Sequence, residues 1–188
     1  MADFESKRVL VTGGSRGIGF AVARAFLDAG ARVAVNGRTT QSVNDAVGRL
    51  DSGDRVIAAP GDVRTVTGCE TIVTRAIGEL GGLDVLVNSA SKGGVVNMTR
   101  AMAMELVPDV RVNSVCPGYV DTDMVRRDYI DRQSDPTATE RKLAAYSPMN
   151  RIATPAEIAA AVLYLASQEA RFVTGIALPL DGGSSVGR

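Results

Sequence analysis

Val9-Leu10-Val11-Thr12-Gly13-Gly14-Ser15-Arg16-Gly17-Ile18-Gly19 is the stretch that decides the fold. An apolar run stops at Thr12, glycines follow at 13, 14, 17 and 19, and a helical pattern opens with Ile18, Val22, Ala25 and Phe26 on one face. The spacing predicts a strand, a tight turn and a helix. Glycine turns at positive φ without strain. Its missing Cβ also lets an anionic phosphate pair reach the exposed N–H groups and positive dipole end of a helix. An ordinary strand-to-helix turn could carry the same glycines. Here, though, the turn follows the first strand and begins a βαβ unit, the place where dinucleotides bind. Gly13, Ser15, Arg16, Gly17, Ile18 and Gly19 are therefore expected to hold a pyrophosphate.

With 188 residues and 45% hydrophobic content, the chain can bury a good core and falls within the range of one domain, residues 1–188. Lys plus Arg and Asp plus Glu are equal at 21 each, so no global field draws nucleic acid or an anionic membrane. The absence of histidine excludes Ser-His-Asp and Cys-His catalysis and the common zinc sites. Residues 1–8 are too charged for a signal peptide, and no apolar run approaches the ~18 to 20 residues of a membrane helix. A soluble, cytoplasmic protein is expected. Cys69 and Cys116 lack metal-like spacing and read as reduced packing residues.

Past the first helix, Arg32 to Asn36 reads as the second strand. An acidic residue at its end would accept from a ribose 2′-OH, whereas a 2′-phosphate needs a cation. The sequence offers Asn36, Gly37 and Arg38, with Arg16 in the glycine turn. Two guanidiniums converging on one phosphate favour NADP (NADPH) over NAD; the alternative is a pair of solvated surface arginines. Thr40 to Leu50 reads as a helix, Arg55 to Ala59 as a strand and Val66 to Leu80 as a helix with Cys69, Ile72, Ala76 and Leu80 on one stripe. Leu83 to Val87, nearly all apolar, is expected to be a strand buried on both faces and to run into Asn88.

The spacing Thr12-Gly13-x-x-x-Gly17-x-Gly19 resembles that of the short-chain dehydrogenase/reductase family, in particular its 3-oxoacyl-[acyl-carrier-protein] reductase type. The resemblance implies a Rossmann-type, doubly wound parallel sheet in a three-layer α/β/α arrangement. It also implies that Asp62 and Val63 lie along the adenine ring, the carboxylate accepting from the exocyclic amine; otherwise Asp62 is a cap for the helix starting near Thr65. Asn88 corresponds to the family's Asn-x-Ala-Gly, but here Asn88-Ser89-Ala90 is not followed by glycine.

The pattern breaks at that point. Ser89 to Arg100 is similar to the family's catalytic helix just after its tyrosine, in the pattern Tyr-x-x-x-Lys, and Lys92 aligns with the lysine. Four residues before it stands Asn88, so the tyrosine is missing, as are the family's catalytic serine and the helix before that serine's strand. The junction falls between Asn88 and Ser89, and the chain lacks at least one helix-strand unit, ~30 residues or more. Two readings stay open. Either the protein has an internal segment, with the catalytic Ser and Tyr, that these 188 residues lack and is a complete reductase, or the deletion is genuine and the chain is a catalytically inactive dinucleotide-binding protein. In the second case strand 83–87, helix 91–107 and strand 111–116 would form one short right-handed crossover. Lys92 would lower the tyrosine's pKa and hold the nicotinamide ribose, or hold the ribose alone.

Arg111 to Cys116 reads as a strand ended by Pro117, and Pro117-Gly118-Tyr119-Val120-Asp121-Thr122 matches the family's Pro-Gly-x-Val/Ile-x-Thr motif in full. The resemblance puts the backbone near Val120 against the nicotinamide carboxamide and lets Thr122 reach the carboxamide or the pyrophosphate. Tyr119 is read as a packing residue. Residues 123–150 turn polar and charged, as a substrate lid would, with the Arg126-Arg127 pair read as a solvated helix face. Thr154-Pro155-Ala156-Glu157 is a helix start, and Gly175 to Leu180 a last strand before Asp181-Gly182-Gly183. The family's activity implies hydride transfer between NADP(H) and a small-molecule carbonyl or alcohol, in a homodimer or homotetramer, with neither metal nor nucleic acid nor membrane involved.

Overall fold

Strands β1 (Arg8–Thr12), β2 (Arg32–Val35), β3 (Val56–Ala58) and β4 (Val85–Asn88) make one parallel sheet, ordered β3-β2-β1-β4, in a computed structural model that describes residues 4–88 and 95–186. Val9 lies opposite Val33 on one side and Val85 on the other. Side chains alternate across the sheet. Leu10, Ala34 and Ile57 face one way and bury Ile72, Ala76 and Leu80 of helix α3 (Val66–Leu80). Val9, Val11, Val33 and Val35 face the other way and are fully buried. That face belongs to α1 (Gly17–Asp28) and α2 (Thr40–Leu50), whose Val22, Phe26, Val43, Ala46 and Leu50 are buried to 1% exposure or less. Helices therefore cover both faces, as the doubly wound reading requires.

Arginines secure the far ends of these helices. Arg24 donates to the carbonyls of Leu50 and Arg49 at the end of α2, Arg55 to Leu27 at the end of α1, and Arg32 to Leu80 and Glu79 at the end of α3. Each cation bonds carbonyls in the last turn of a helix and sits at the negative end of its dipole.

Two compact units divide the chain, residues 1–90 and 91–188. In the second, β5 (Ser114–Pro117) and β6 (Ala177–Leu180) pair in parallel. Among the described residues four α-helices belong to it: α4 (Val95–Leu106), α5 (Asp123–Val125), α6 (Pro136–Ala144) and α7 (Pro155–Ala166), with a π-helical turn at Arg126–Ile130 following α5. The helix start read at Thr154 is a full capping box, Thr154 and Glu157 each bonding the other's backbone N–H.

The structure corrects several expectations. The strand expected to be buried on both faces is the edge of its sheet: Leu86 is 50% exposed and Val85 and Val87 are half-buried, because β4 has β1 alone as a neighbour among the described residues. Cys69, expected to pack, is exposed in the first turn of α3, where its thiol meets the carbonyl of Val63. β5 starts at Ser114 rather than Arg111 because the Arg111 and Asn113 side chains turn to the carbonyl of Val173.

Arg8 ties the start of β1 to the approach of β4, its guanidinium donating to both oxygens of Asp84 at 2.8 Å and to the carbonyl of Gly81. The Arg8 hydrogen bonds hold the Asp84 carboxyl down at about 2. Screening at this partly exposed pair leaves about 1 kcal/mol of stabilisation. A depressed carboxylate stabilises above its unfolded pKa and loses that effect as pH falls through the folded one. Asp84→Asn is expected to cost about 1 kcal/mol in urea unfolding at pH 7, with the difference narrowing from about pH 4 towards pH 2.

Candidate functional site

The glycine turn after β1 is held tight by positions that exclude a side chain. Gly13 and Gly17 adopt φ of 64° and 57°. A Cβ on Gly19 would collide with the carbonyl of Gly13, and one on Gly14 would stand 3.0 Å from Val35 Cγ1. The turn delivers the chain to α1 through Arg16 in extended conformation, and no side chain caps the helix. By contrast α2, α3, α6 and α7 are capped by Thr39, Thr65, Asp135 and Thr154. The first-turn N–H groups of α1, led by Gly17, Ile18 and Gly19, are thus left for an anion.

Beneath the turn lies Asn36, 2% exposed. Its Nδ2 donates to the carbonyls of Ala59 (2.9 Å) and Gly61 (3.1 Å), its Oδ1 accepts from the N–H of Gly13, and its backbone carbonyl accepts from Gly14. One side chain therefore joins the ends of β1, β2 and β3. The sequence reading used Asn36 only as the absence of a carboxylate; its position after an apolar strand, where polar residues are rarely buried without a structural task, was the available signal. Gly37 follows, where a Cβ would stand 3.0 Å from Ser15 Oγ, so Ser15 fits at the base of the turn. Arg16 and Arg38 are both exposed, and neither enters an ion pair among the described residues.

Asp62 does not cap α3, which Thr65 caps by accepting from the N–H of Gly68. Its carboxylate instead forms a two-pronged pair with Arg64, whose hydrogen bonds pull its pKa down to about 2, with Arg38 adding a weaker attraction. An amine presented to Asp62 competes with Arg64 for the same oxygens. Val63, 40% exposed, offers an apolar surface beside it. Asn88 ends β4 with its side chain exposed, and its Oδ1 accepts from Thr12 Oγ1 at 3.2 Å. Lys92 lies outside the described residues.

In the second unit, Gly118 has room for no side chain larger than its own, since a Cβ would come 3.1 Å from the Asp181 backbone, and Val120 is 4% exposed. Thr122 caps α5, accepting from the N–H of Val125. Tyr119 is not packed away: 42% exposed, its ring leans on Tyr146 with centroids 5.6 Å apart. Arg126, read as a solvated cation, pairs with Asp121 and Glu140 and ties the start of residues 123–150 together.

A dinucleotide fits the first unit on these grounds. An uncapped helix start and a cradle that any Cβ would fill suit a pyrophosphate, and two uncommitted guanidiniums suit a further phosphate.

Known proteins resemble this chain along its length. A family model described as short chain dehydrogenase matches residues 7–91, and one described as Enoyl-(Acyl carrier protein) reductase matches residues 89–185. The 3-oxoacyl-[acyl-carrier-protein] reductase MabA of Mycobacterium bovis is 31% identical over 241 aligned positions, covering 98% of this chain and 95% of that protein. L-fucose dehydrogenase of Mus musculus is 30% identical, covering 98% and 90%. The crystal structure of an actinorhodin polyketide ketoreductase with NADPH superposes with a TM-score of 0.88 at 26% identity, covering all of both chains. An alignment of 241 positions against 188 residues leaves at least 53 positions of the mycobacterial reductase without a counterpart.

Asn36→Ala strips the side-chain partner from two carbonyls and one N–H in a buried place. It is expected to lower unfolding free energy by about 1–3 kcal/mol in urea titration and to weaken NADPH binding with it.

Proposed function

Because the chain belongs to the short-chain dehydrogenase/reductase family, we propose that it is an oxidoreductase that moves a hydride between NADP(H) and a carbonyl or secondary alcohol, of the 3-oxoacyl reductase kind. The observation that carries the proposal is the uncapped start of α1 with Arg16 and Arg38 free of ion pairs among the described residues. A 2′-phosphate meets guanidinium groups there, and the end of β2 offers no carboxylate for an unmodified ribose. The NADPH of the actinorhodin ketoreductase supports the same choice.

When bound, the reduced nicotinamide supplies a hydride for a carbonyl carbon. The residues of this chain then divide the remaining work. Gly13, Ser15, Gly17, Ile18 and Gly19 hold the pyrophosphate, and Asp62 and Val63 flank the adenine. Asn88 and Lys92 would hold the nicotinamide ribose, Lys92 being the proposed catalytic lysine, which would also lower the pKa of a neighbouring tyrosine where one is present. Pro117, Gly118, Val120 and Thr122 orient the carboxamide, and residues 123–150 cover the substrate. The alkoxide also needs a proton. Residue 88 is an amide and supplies none, so binding and turnover are separate measurements in this protein. Cytoplasmic location and a homodimeric or homotetrameric state complete the proposal; among the described residues no helix is long and apolar enough to cross a membrane.

Calorimetric titration of both coenzymes tests the site. NADPH is expected to bind more tightly than NADH, and Arg38→Ala to weaken NADPH about tenfold while sparing NADH. Tighter NADH binding overturns the coenzyme assignment, and indifference to both nucleotides overturns the function. With coenzyme bound, ketone-dependent loss of NADPH absorbance measures whether a proton reaches the alkoxide, and Lys92→Ala is expected to slow that loss.

A further inference from the structure

Residues 119–122, which the coenzyme reading puts at the nicotinamide carboxamide, are tied to the far end of the stretch that follows them. The N–H of Ala153 donates to the carbonyl of Tyr119, the N–H of Asp121 donates to the carbonyl of Ala153, and Val120 forms a parallel bridge with Ala153. The chain between them leaves and returns to one place. Its first element is α5, three residues long and without a buried side chain. So short a helix gains nothing from propagation and has no apolar face to pack, so other groups must fix it.

Two residues do so. Thr122 caps α5, its Oγ1 accepting from the N–H of Val125 at 3.4 Å and its carbonyl accepting from the N–H of Arg126 at 2.9 Å. The guanidinium of Arg126 then turns back across the same turn. Its Nε and Nη2 donate to the two oxygens of Asp121, and its Nη2 and Nη1 to the two oxygens of Glu140 in α6, at 2.5 to 2.9 Å. Among the described residues no other arginine pairs with two carboxylates; Arg127, next in the chain, meets Asp123 alone at 3.9 Å. The bonds from Arg126 also hold the Asp121 carboxyl below the usual carboxylate range. With side-chain exposures of 37 to 43%, these pairs contribute little to stability. What a two-pronged guanidinium supplies is direction.

Thr122 Oγ1 accepts one hydrogen bond within the protein, and among the described residues its proton has no acceptor, so the hydroxyl is able to donate to a ligand. We infer that Arg126 is a positioning residue for the coenzyme: by fixing α5 against Asp121 and Glu140 it aims the Thr122 hydroxyl, and so governs the grip on the nicotinamide half of NADP(H) without touching the grip on the adenosine half. The inference rests on the coenzyme reading above and adds to it a residue outside every segment assigned there to the nucleotide.

Calorimetry on the full chain compares NADPH with 2′,5′-ADP, which carries the adenine and the 2′-phosphate but no nicotinamide. Arg126→Met is expected to weaken NADPH roughly three- to tenfold, the range of one hydrogen bond, and to leave 2′,5′-ADP within about twofold. Thr122→Val is expected to weaken NADPH by a similar factor, and Arg126→Met added to it to weaken NADPH no further, because one residue acts through the other. Glu140→Gln, which removes one carboxylate charge and keeps the bonding atoms, serves where Arg126→Met does not fold and is expected to show the same split at about twofold. Arg75→Met, which breaks the exposed pair with Glu79 on α3, is the control expected to change neither affinity. Equal weakening of both ligands by Arg126→Met overturns the inference, as does unchanged NADPH binding in that variant or in Thr122→Val, or additive losses in the double variant; each of these leaves the coenzyme reading standing. Binding of neither ligand to the unaltered chain removes both.

Discussion

Asn36 is the point on which the first unit depends. A buried amide must find partners for two donors and an acceptor, and here those partners are the ends of the flanking strands: Ala59 and Gly61 after β3, and Gly13 after β1. The strands deliver their last residues to one level because a single side chain gathers them. The phosphate turn then rests on that floor, with Gly14 bonded to the Asn36 carbonyl and Ser15 seated where Gly37 leaves room. A site made of backbone N–H groups has no side chains of its own to fix it, so its precision comes from this support underneath.

Charge is arranged along the same axis. The chain is neutral overall, with 21 cations and 21 anions, yet its arginines divide by task. Arg24, Arg32 and Arg55 close helix carboxyl ends with bonds to carbonyls, and Arg8 and Arg64 close on Asp84 and Asp62. Arg16, the residue before α1, and Arg38 form no ion pair among the described residues. The dipole of α1 is thus met by Arg55 at its carboxyl end and left without a side-chain cap at its amino end, where an anion would complete it. A neutral protein acquires a local positive site in this way without a global field.

The sequence made the elements with strong local signals legible. The α2 and α3 ranges, Thr40–Leu50 and Val66–Leu80, follow from apolar period and from threonine caps, and α7 follows from its Thr-Pro-x-Glu start. The glycine turn was legible because each glycine answers a steric demand that the structure shows. What periodicity does not carry is partnership across long sequence separation. Leu86 has the same apolar surroundings in sequence whether its strand is central or at an edge, and only sheet pairing decides its exposure. Cys69 fell on a helical stripe, but the stripe at the first turn of α3 runs past the core it covers lower down. Arginine bonds to helix ends leave no spacing signal, since Arg24 and Leu50 are joined by fold and not by period.

The junction after Asn88 separates two properties that one fold ordinarily combines. At least 53 positions of the mycobacterial reductase have no counterpart in this chain, and the two family models hand over at residues 89–91. β4 there is a sheet edge among the described residues, with Leu86 half exposed. The residues proposed to bind coenzyme lie elsewhere: Arg38 precedes the junction by about fifty residues and the glycine turn by about seventy, Asp62 and Val63 follow β3, and the Pro117 to Thr122 segment begins at the end of β5. The proposed nucleotide site thus rests on the first three strands and Asn36, whose bonds to the glycine turn and to the end of β3 are in place, while β4 beside the junction is left with one strand partner among the described residues.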